Sequence, residues 1–294
     1  MVRSGSRRPS VCDEFGHGRF VDLGHIVLVR LLPLLAAIAL GMIAASGPRA
    51  RAESARHLRL MTYNVNYANP DPKTALDAIA AEAADVVLLQ EVTAEWQRAL
   101  VDRFAKQYPV QVFRVHSRAA GGLAVLSKLP IKAEEVLPCP ERGWFPSERL
   151  VIEAAFGALQ ILNVHLRPAI DGGSWFKGFL TTPPLRRREI EAYWRRLARD
   201  LPTIIAGDFN EDPSGSAIAF LSRQGLARVP TAGPTTWHYE HTLNGKTNDL
   251  LRMDIDHVLV DRTLIGRDGR VLDAGTSDHR PVVVSIEPKI RSAR

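Results

Sequence analysis

Residues able to hold a cation, move a proton or grip an oxyanion recur in this sequence at one kind of place, the ends of short apolar runs. Asn64 follows LRLMTY, Glu91 follows DVVLLQ, His165 follows LQILNV, and Asp208 and Asn210 follow PTIIAG. Asp256 lies within DIDHVLV, and Asp278-His279 stands just ahead of RPVVVSI. Carboxylate oxygens suit a hard divalent ion, an imidazole held by a carboxylate suits transfer of a water proton, and Asn and His side chains suit donation to developing negative charge. Taken singly, each residue has an ordinary alternative. Asp and Asn after a strand are turn formers or helix caps, and Glu91 is suited to the positive end of a helix starting near Thr93. His165 and His279 read equally as hydrogen-bonded, half-buried histidines, and Asp256 as an edge-strand charge.

The elements that must position these residues are legible from periodicity. LRLMTYNV, DVVLLQEV, GLAVLSKL, RLVIEAAF, LQILNVHL, PTIIAGDF, DIDHVLV and RPVVVSI read as strands. Segments 74–84, 93–107, 185–199 and 214–224 read as helices, the second with Thr93 as N-cap and Trp96, Leu100, Val101 and Phe104 on one face. Residues 167–184, RPAIDGGSWFKGFLTTPP, read as one long irregular stretch because Gly and Pro interrupt any continuous helix. Many strands with interspersed helices point to one α/β domain with extensive sheet.

Composition narrows the class. Two cysteines among 294 residues, Cys12 and Cys139, exclude a disulfide scaffold and a Cys-rich zinc site. Lys and Arg outnumber Asp and Glu by 38 to 32, a net charge of +6 that suggests nucleic acid or an anionic surface. The excess is uneven. Residues 31–46, LLPLLAAIALGMIAAS, are uncharged, preceded by Arg30 and followed by Ala50-Arg51-Ala52, the layout of a secretory signal peptide cut after Ala52. The expectation is a leader over 1–52 and a domain over 53–294, exported to the periplasm or secreted, or membrane-anchored if the leader stays uncut. Seven arginines against three acidic residues put +4 in that leader, so the domain carries only about +2.

In order and local context the elements resemble the endonuclease/exonuclease/phosphatase superfamily, from about Leu58 to Ile286. The signatures are TYNV at 62–65, LLQEV at 88–92, NVHL at 163–166, GDFN at 207–210, and IDHVLV (255–260) with SDHRPV (277–282). GGLAVLSKLPI at 121–131 is similar to the family's segment between the second and third. The resemblance implies a four-layer α/β sandwich, two packed mixed β-sheets flanked by helices, with a phosphoesterase site at one end. It also implies roles. Glu91, with Asn64 and Asp278, would hold Mg²⁺ or Mn²⁺ against a phosphate. Asp256 and His279 would form the pair that activates water, with Asp208 as the competing base. Asn210 and His165 would donate to non-bridging phosphate oxygens. Asn66 departs from the aspartate of abasic-site endonucleases and argues against that branch.

The expected activity is metal-dependent phosphodiester hydrolysis, nuclease-like in the first instance. A sphingomyelinase-like or phosphoinositide hydrolase at a membrane is the alternative, and a non-catalytic phosphate-binding protein is the reading from another class. The substrate clue is 167–199, where Trp175, Phe176 and Phe179 surround Lys177 and six arginines follow from Arg186 to Arg199. Aromatics with cations suit stacked bases and phosphates or a lipid interface. The alternative for 185–199 is a helix with Ile190, Trp194 and Leu197 inward and its arginines solvated. His238 and His241 read as members of a further loop, with too few partners for a zinc site. A monomer is expected.

Overall fold

The computed structural model describes residues 57–115, 119–243 and 246–289, within the compact unit Ala52–Arg294. The expected leader lies outside the described residues. In chain order the elements are β1 (Leu58–Asn64), α1 (Pro72–Glu82), β2 (Val86–Gln90), α2 (Ala94–Phe104), β3 (Val110–Arg114), β4 (Leu123–Ser127), β5 (Ile131–Leu137), β6 (Ser147–Ala154) and β7 (Gly157–His165). They continue with α3 (Trp175–Thr181), α4 (Pro183–Trp194), β8 (Thr203–Asp208), α5 (Ser216–Arg223), β9 (Leu226–Arg228), β10 (Thr231–Ala232), β11 (Trp237–Leu243), β12 (Lys246–Met253), β13 (Asp256–Asp261), β14 (Leu264–Val271) and β15 (Val282–Pro288).

Two mixed sheets pack face to face. One runs β10-β14-β15-β1-β2-β4-β3, the other β5-β6-β7-β8-β13-β9, and β11-β12 form a separate hairpin. Strands covered on both faces read as near-continuous apolar runs rather than alternations, and β2, VVLLQ, is buried at every residue. The core between the sheets gathers Leu60, Leu88, Val125, Ile161, Ile204, Val258 and Val284. The opposite face of the first sheet packs Met61, Leu89 and Val283 against Ile79 of α1 and Trp96, Leu100 and Phe104 of α2. The outer face of the second packs Leu162, Ile205 and Leu259 against Ile190 and Tyr193 of α4 and Ile218 and Leu221 of α5. This is the four-layer α/β sandwich that the resemblance implied. Thr93 caps α2 as expected, accepting from the Trp96 N–H, whereas Val101 is exposed rather than part of the buried face.

Three local expectations need correction. The stretch 167–184 is not wholly irregular: Ser174 caps the two-turn α3, and Gly178 lies so close to Ala169 that a Cβ there would sit 2.2 Å from its carbonyl oxygen. The glycine that argues against a helix by propensity is thus the residue that docks one. His238 and His241 lie on β11 rather than in a loop. The strands β3, β5 and β14 escaped a reading based on apolar runs because each is broken by polar or charged residues, as in IKAEEVL. Among the described residues no helix is long and apolar enough to cross a membrane.

Strand register carries the chemistry-bearing residues to one end of both sheets. β1 and β2 are parallel with Asn64 opposite Gln90, so Glu91 leaves the sheet beside Asn64. β7 and β8 are parallel with His165 opposite Asp208. The antiparallel β13 starts with Asp256 opposite Asp208.

Candidate active site

Asn64, at the end of β1, is the hub. Its Nδ2 lies 3.1 Å from Glu91 Oε1, 3.0 Å from Asp208 Oδ2 and 3.4 Å from His279 Nε2. Its Oδ1 accepts the Asn66 backbone N–H at 3.0 Å, so the amide presents nitrogen, not oxygen, to the carboxylates. Glu91 has a positive φ of 63° and accepts the Tyr67 N–H at 3.1 Å. A non-glycine residue in that region is held there by its surroundings and is characteristic of functional sites. Burial raises the Glu91 pKa even though Asn64 and Tyr67 donate to it.

Behind this pair, His279 is held by Asp256, with Nδ1 2.9 Å from Oδ2. Its Nε2 lies 3.7 Å from Asp208 Oδ2. Burial disfavours an imidazolium, but Asp256, Asp208 and Asp278 together outweigh it and hold the His279 pKa well above the ordinary value. Burial, reinforced by the Asp256 charge, raises the pKa of Asp208. Gly207 makes this placement feasible: its φ of 143° brings β8 so close to β7 that a Cβ would stand 2.0 Å from the Val164 carbonyl oxygen. Ser277 braces the arrangement, donating its hydroxyl to the Asn64 carbonyl and accepting the His279 N–H.

Asp278 faces the hub from the other side. Its Oδ1 accepts Asn66 Nδ2 at 2.7 Å and its Oδ2 accepts the Trp237 indole N–H at 2.9 Å. Burial alone would raise its pKa, but the His279 charge and these two donors hold it below the ordinary value. Asn66 is therefore a donor to Asp278, a place where an aspartate would set two carboxylates together.

His165 and Asn210 complete the floor. His165 Nδ1 lies 3.1 Å from the Ala120 carbonyl oxygen, which fixes the proton on that nitrogen. Nε2 then turns a lone pair toward Asp208, at 3.4 Å, and Glu91, at 3.9 Å. Burial and the nearby His279 push its pKa down to about 3, so this neutral tautomer offers the site an acceptor, and the expected donor role requires another protonation state. Phe145 stacks on the ring at 4.2 Å. Asn210 has φ 52°, gives its backbone N–H to Asp208 Oδ1 and one side-chain N–H to the Leu166 carbonyl.

The site opens into a cavity of about 440 Å³, whose apolar wall includes Phe145, Ile170, Trp175, Phe179, Trp237 and Met253. No lysine or arginine is among the described residues lining it. The arginine-rich segment keeps Ile190 and Leu197 inward and five of its six arginines exposed, as the solvated-face alternative has it; Arg186 is the exception. Arg186 is buried and paired with Glu211 at 3.3 Å, Arg187 pairs with Glu191, Arg196 with Glu135, and Arg199 lies over Trp194. Spacing identified that helix face, but not its partners.

The donor set suits a divalent cation. Glu91, Asp208, Asp256 and Asp278 gather at one end of the fold with no lining cation from Lys or Arg, and Asp256 Oδ1 is buried without a hydrogen-bond partner. Asp208, Asp256 and His279 bring potential ligand atoms within 4.8 Å of one another. His279 Nδ1 and Asp256 Oδ2 already satisfy each other, so Glu91, half-buried at the cavity floor, is the freer oxygen donor. Residues that sequence reasoning missed are Ser277, Trp237 and Thr236, whose hydroxyl accepts the Ile255 and Asp256 N–H groups. None carries a chemical signature by type, and only contacts identify them.

A family model described as Endonuclease/Exonuclease/phosphatase family matches residues 61–279. Sequence comparison with curated proteins finds no significant match. Among solved structures, the chain is similar to the human Nocturnin catalytic domain with bound sulfate, at TM-score 0.59 and 16% identity over 79% of this chain and 95% of that one. It is also similar to an endonuclease/exonuclease/phosphatase from Beutenbergia cavernae, at 0.60 and 21% over 79% and 72%. A third likeness is to sphingomyelinase C from Streptomyces griseocarneus, at 0.56 and 19% over 78% and 99%. At these identities the structural likeness establishes the shared fold.

Proposed function

The chain belongs to the endonuclease/exonuclease/phosphatase family, hydrolases of phosphoester bonds, and from that premise we propose that it is a divalent-metal-dependent phosphodiesterase. The observation that carries this reading is the line Asp256–His279–Asp208 meeting Asn64 and Glu91, with Glu91, Asp208 and His279 lining one cavity. Glu91, with Asp278 nearby, would hold Mg²⁺ or Mn²⁺, which would supply Lewis-acid stabilisation of phosphoryl and leaving-group charge. Asn64, through its nitrogen, keeps Glu91 and Asp208 in place.

The chain's own residues divide the remaining work. Asp208, whose pKa is raised by burial, is a stronger base than an ordinary carboxylate and takes the proton of the attacking water. His279, held as an imidazolium by Asp256, donates from Nε2 to a non-bridging oxygen as charge develops. Asn210 adds its second side-chain N–H. Water oxygen bonds to phosphorus, one P–O ester bond breaks, and the departing alkoxide takes its proton from solvent at the cavity mouth.

A nuclease-like variant of this reading retains the exposed Trp175 for base stacking, but no Lys or Arg is among the described residues lining the cavity. The signal-like pattern of residues 31–52, an uncharged apolar run followed by Ala50-Arg51-Ala52, supports export, and N-terminal sequencing of the protein recovered from its host checks that. The decisive test of the activity is hydrolysis of bis(p-nitrophenyl) phosphate, DNA, RNA and sphingomyelin with and without Mg²⁺ or Mn²⁺, beside His279→Ala. Metal-dependent turnover lost in the variant supports the assignment; equal turnover by both proteins, or none by either, overturns it.

A further inference from the structure

The two-turn helix α3 does more than wall the cavity. Trp175, Phe176, Phe179 and Leu180 fall at positions i, i+1, i+4 and i+5, on one face of the helix. They are 49%, 80%, 49% and 71% exposed. Gly178 docks the opposite side of the helix on Ala169. Lys177 is turned back to Asp171, 3.3 Å away, and Thr181 donates to the same carboxylate. The helix therefore presents hydrocarbon outward, and its only cation, itself exposed, is paired with Asp171.

The face continues onto the hairpin. The Trp175 ring lies 5.8 Å from Trp237 and 6.4 Å from Tyr239. Tyr239 is paired across the hairpin with Leu251, and both are exposed. Trp175, Phe179 and Trp237 also line the cavity, so the apolar patch and the mouth of the site are continuous. Phe176 and Leu180 are not among the cavity-lining residues, and a single small soluble substrate leaves both in water. An extended apolar partner covers them at the same time as it fills the cavity wall.

We propose that this face seats the protein on an electroneutral lipid surface and that the cavity takes a phospholipid phosphodiester from it, the apolar wall receiving the hydrocarbon-bearing alcohol. The chemistry of the patch supports a bilayer as the occupant. Its exposed residues are Trp, Tyr, Phe and Leu, the types that favour a membrane interface. A nucleic-acid track needs cations to neutralise successive phosphates, and the described cavity lining has none, while the carboxylates at its floor disfavour a strongly anionic surface. The catalytic half of the proposal rests on the phosphodiesterase reading; the seating half does not.

The test uses the full chain and the double variant Phe176→Ser/Leu180→Ser, which alters side chains outside the cavity. Co-sedimentation with phosphatidylcholine–sphingomyelin vesicles is measured beside hydrolysis of vesicle lipid and of soluble bis(p-nitrophenyl) phosphate. The expected result is wild-type binding to vesicles, weakened by at least about tenfold in the variant on loss of two buried side chains. Vesicle-lipid hydrolysis falls with it, and turnover of the soluble ester stays within about twofold. Absent wild-type binding, or binding equal in the two proteins, overturns the seating. A wild-type dimer that the variant converts to monomer assigns the face to a second copy and overturns it likewise. Preference for oligonucleotide over vesicle lipid overturns the substrate class. Vesicle binding without hydrolysis of either ester supports the seating while the phosphodiesterase reading fails.

Discussion

The indole N–H of Trp237 donates to Asp278 Oδ2 at 2.9 Å, and the same residue forms a β-bridge with His279. One side chain thus belongs to the apolar wall of the cavity and to the support of the acidic cluster. Trp237→Phe keeps an aromatic ring against Trp175 and removes the donor along with the second ring of the indole. The metal concentration for half-maximal activity is expected to rise about tenfold, the cost of losing an outer partner of a metal site, with a smaller change in KM for the ester. Metal titrations of turnover check it.

Asp256→Asn removes the carboxylate that holds the His279 Nδ1–H at 2.9 Å. The imidazolium then loses its principal partner, and kcat is expected to fall by about 100- to 10,000-fold, the range associated with a positioned acid or base. His279→Ala should fall into the same range. If the two residues act as a unit, the double variant is no worse than the worse single variant, which steady-state kinetics on the three proteins determines.

Glu91→Gln keeps an acceptor for the Tyr67 N–H but removes a charge from the cavity floor. Calorimetric titration with Mn²⁺ is expected to give affinity weakened by at least about tenfold, the smaller end of what loss of even an outer partner costs a metal site. Chelation of divalent ions should abolish wild-type turnover, and Mg²⁺ or Mn²⁺ should restore it.

Away from the site, Glu148 lies buried with Arg114 Nε 3.1 Å from Oε1, yet neither carboxylate oxygen has an aligned hydrogen bond. Burial raises its pKa to about 7. The folded protein holds this proton to higher pH than the unfolded chain does, so folding takes up a proton between the ordinary value of 4.5 and about 7. Stability conferred by this residue therefore falls as pH rises through that window. Glu148→Gln should flatten the dependence, stabilising the protein by roughly 1 to 3 kcal/mol at pH 8 and leaving it nearly unchanged below the window. Urea unfolding at the two pH values measures the difference.

Gly178→Ala tests how α3 is docked. The added Cβ meets the Ala169 carbonyl oxygen at 2.2 Å, a backbone atom that cannot swing aside. Overpacking of this kind costs about 1 to 3 kcal/mol. The expected outcome is a lowered Tm together with faster amide hydrogen exchange confined to 169–182, read by mass spectrometry.

Much of the fold was legible because the information is local. The runs at β1, β2, β7 and β8 are mostly apolar and buried over most of their length, since both faces of each strand are covered, and the polar residue that ends each run marks the sheet end where the site stands. The sequence alone determined an α/β domain with extensive sheet, the strand-end placing of Asn64, Glu91, His165, Asp208 and Asn210, and the capped start of α2, and through the resemblance of its ordered motifs it implied the sandwich. Partners were decided only by tertiary structure. Asn64 and Asp208 are 144 residues apart in the chain, and the register of β1 against β2 together with the packing of one sheet on the other turns the Asn64 nitrogen to two carboxylates. The same holds for Arg186, which by periodicity is one of six similar cations and by packing is buried against Glu211. His165 is expected to donate, and the Ala120 carbonyl, by accepting the Nδ1–H, makes it an acceptor toward the site. Side-chain period is written residue by residue, whereas a hydrogen bond depends on where a second segment falls, and that position follows from the packing of the whole sheet pair.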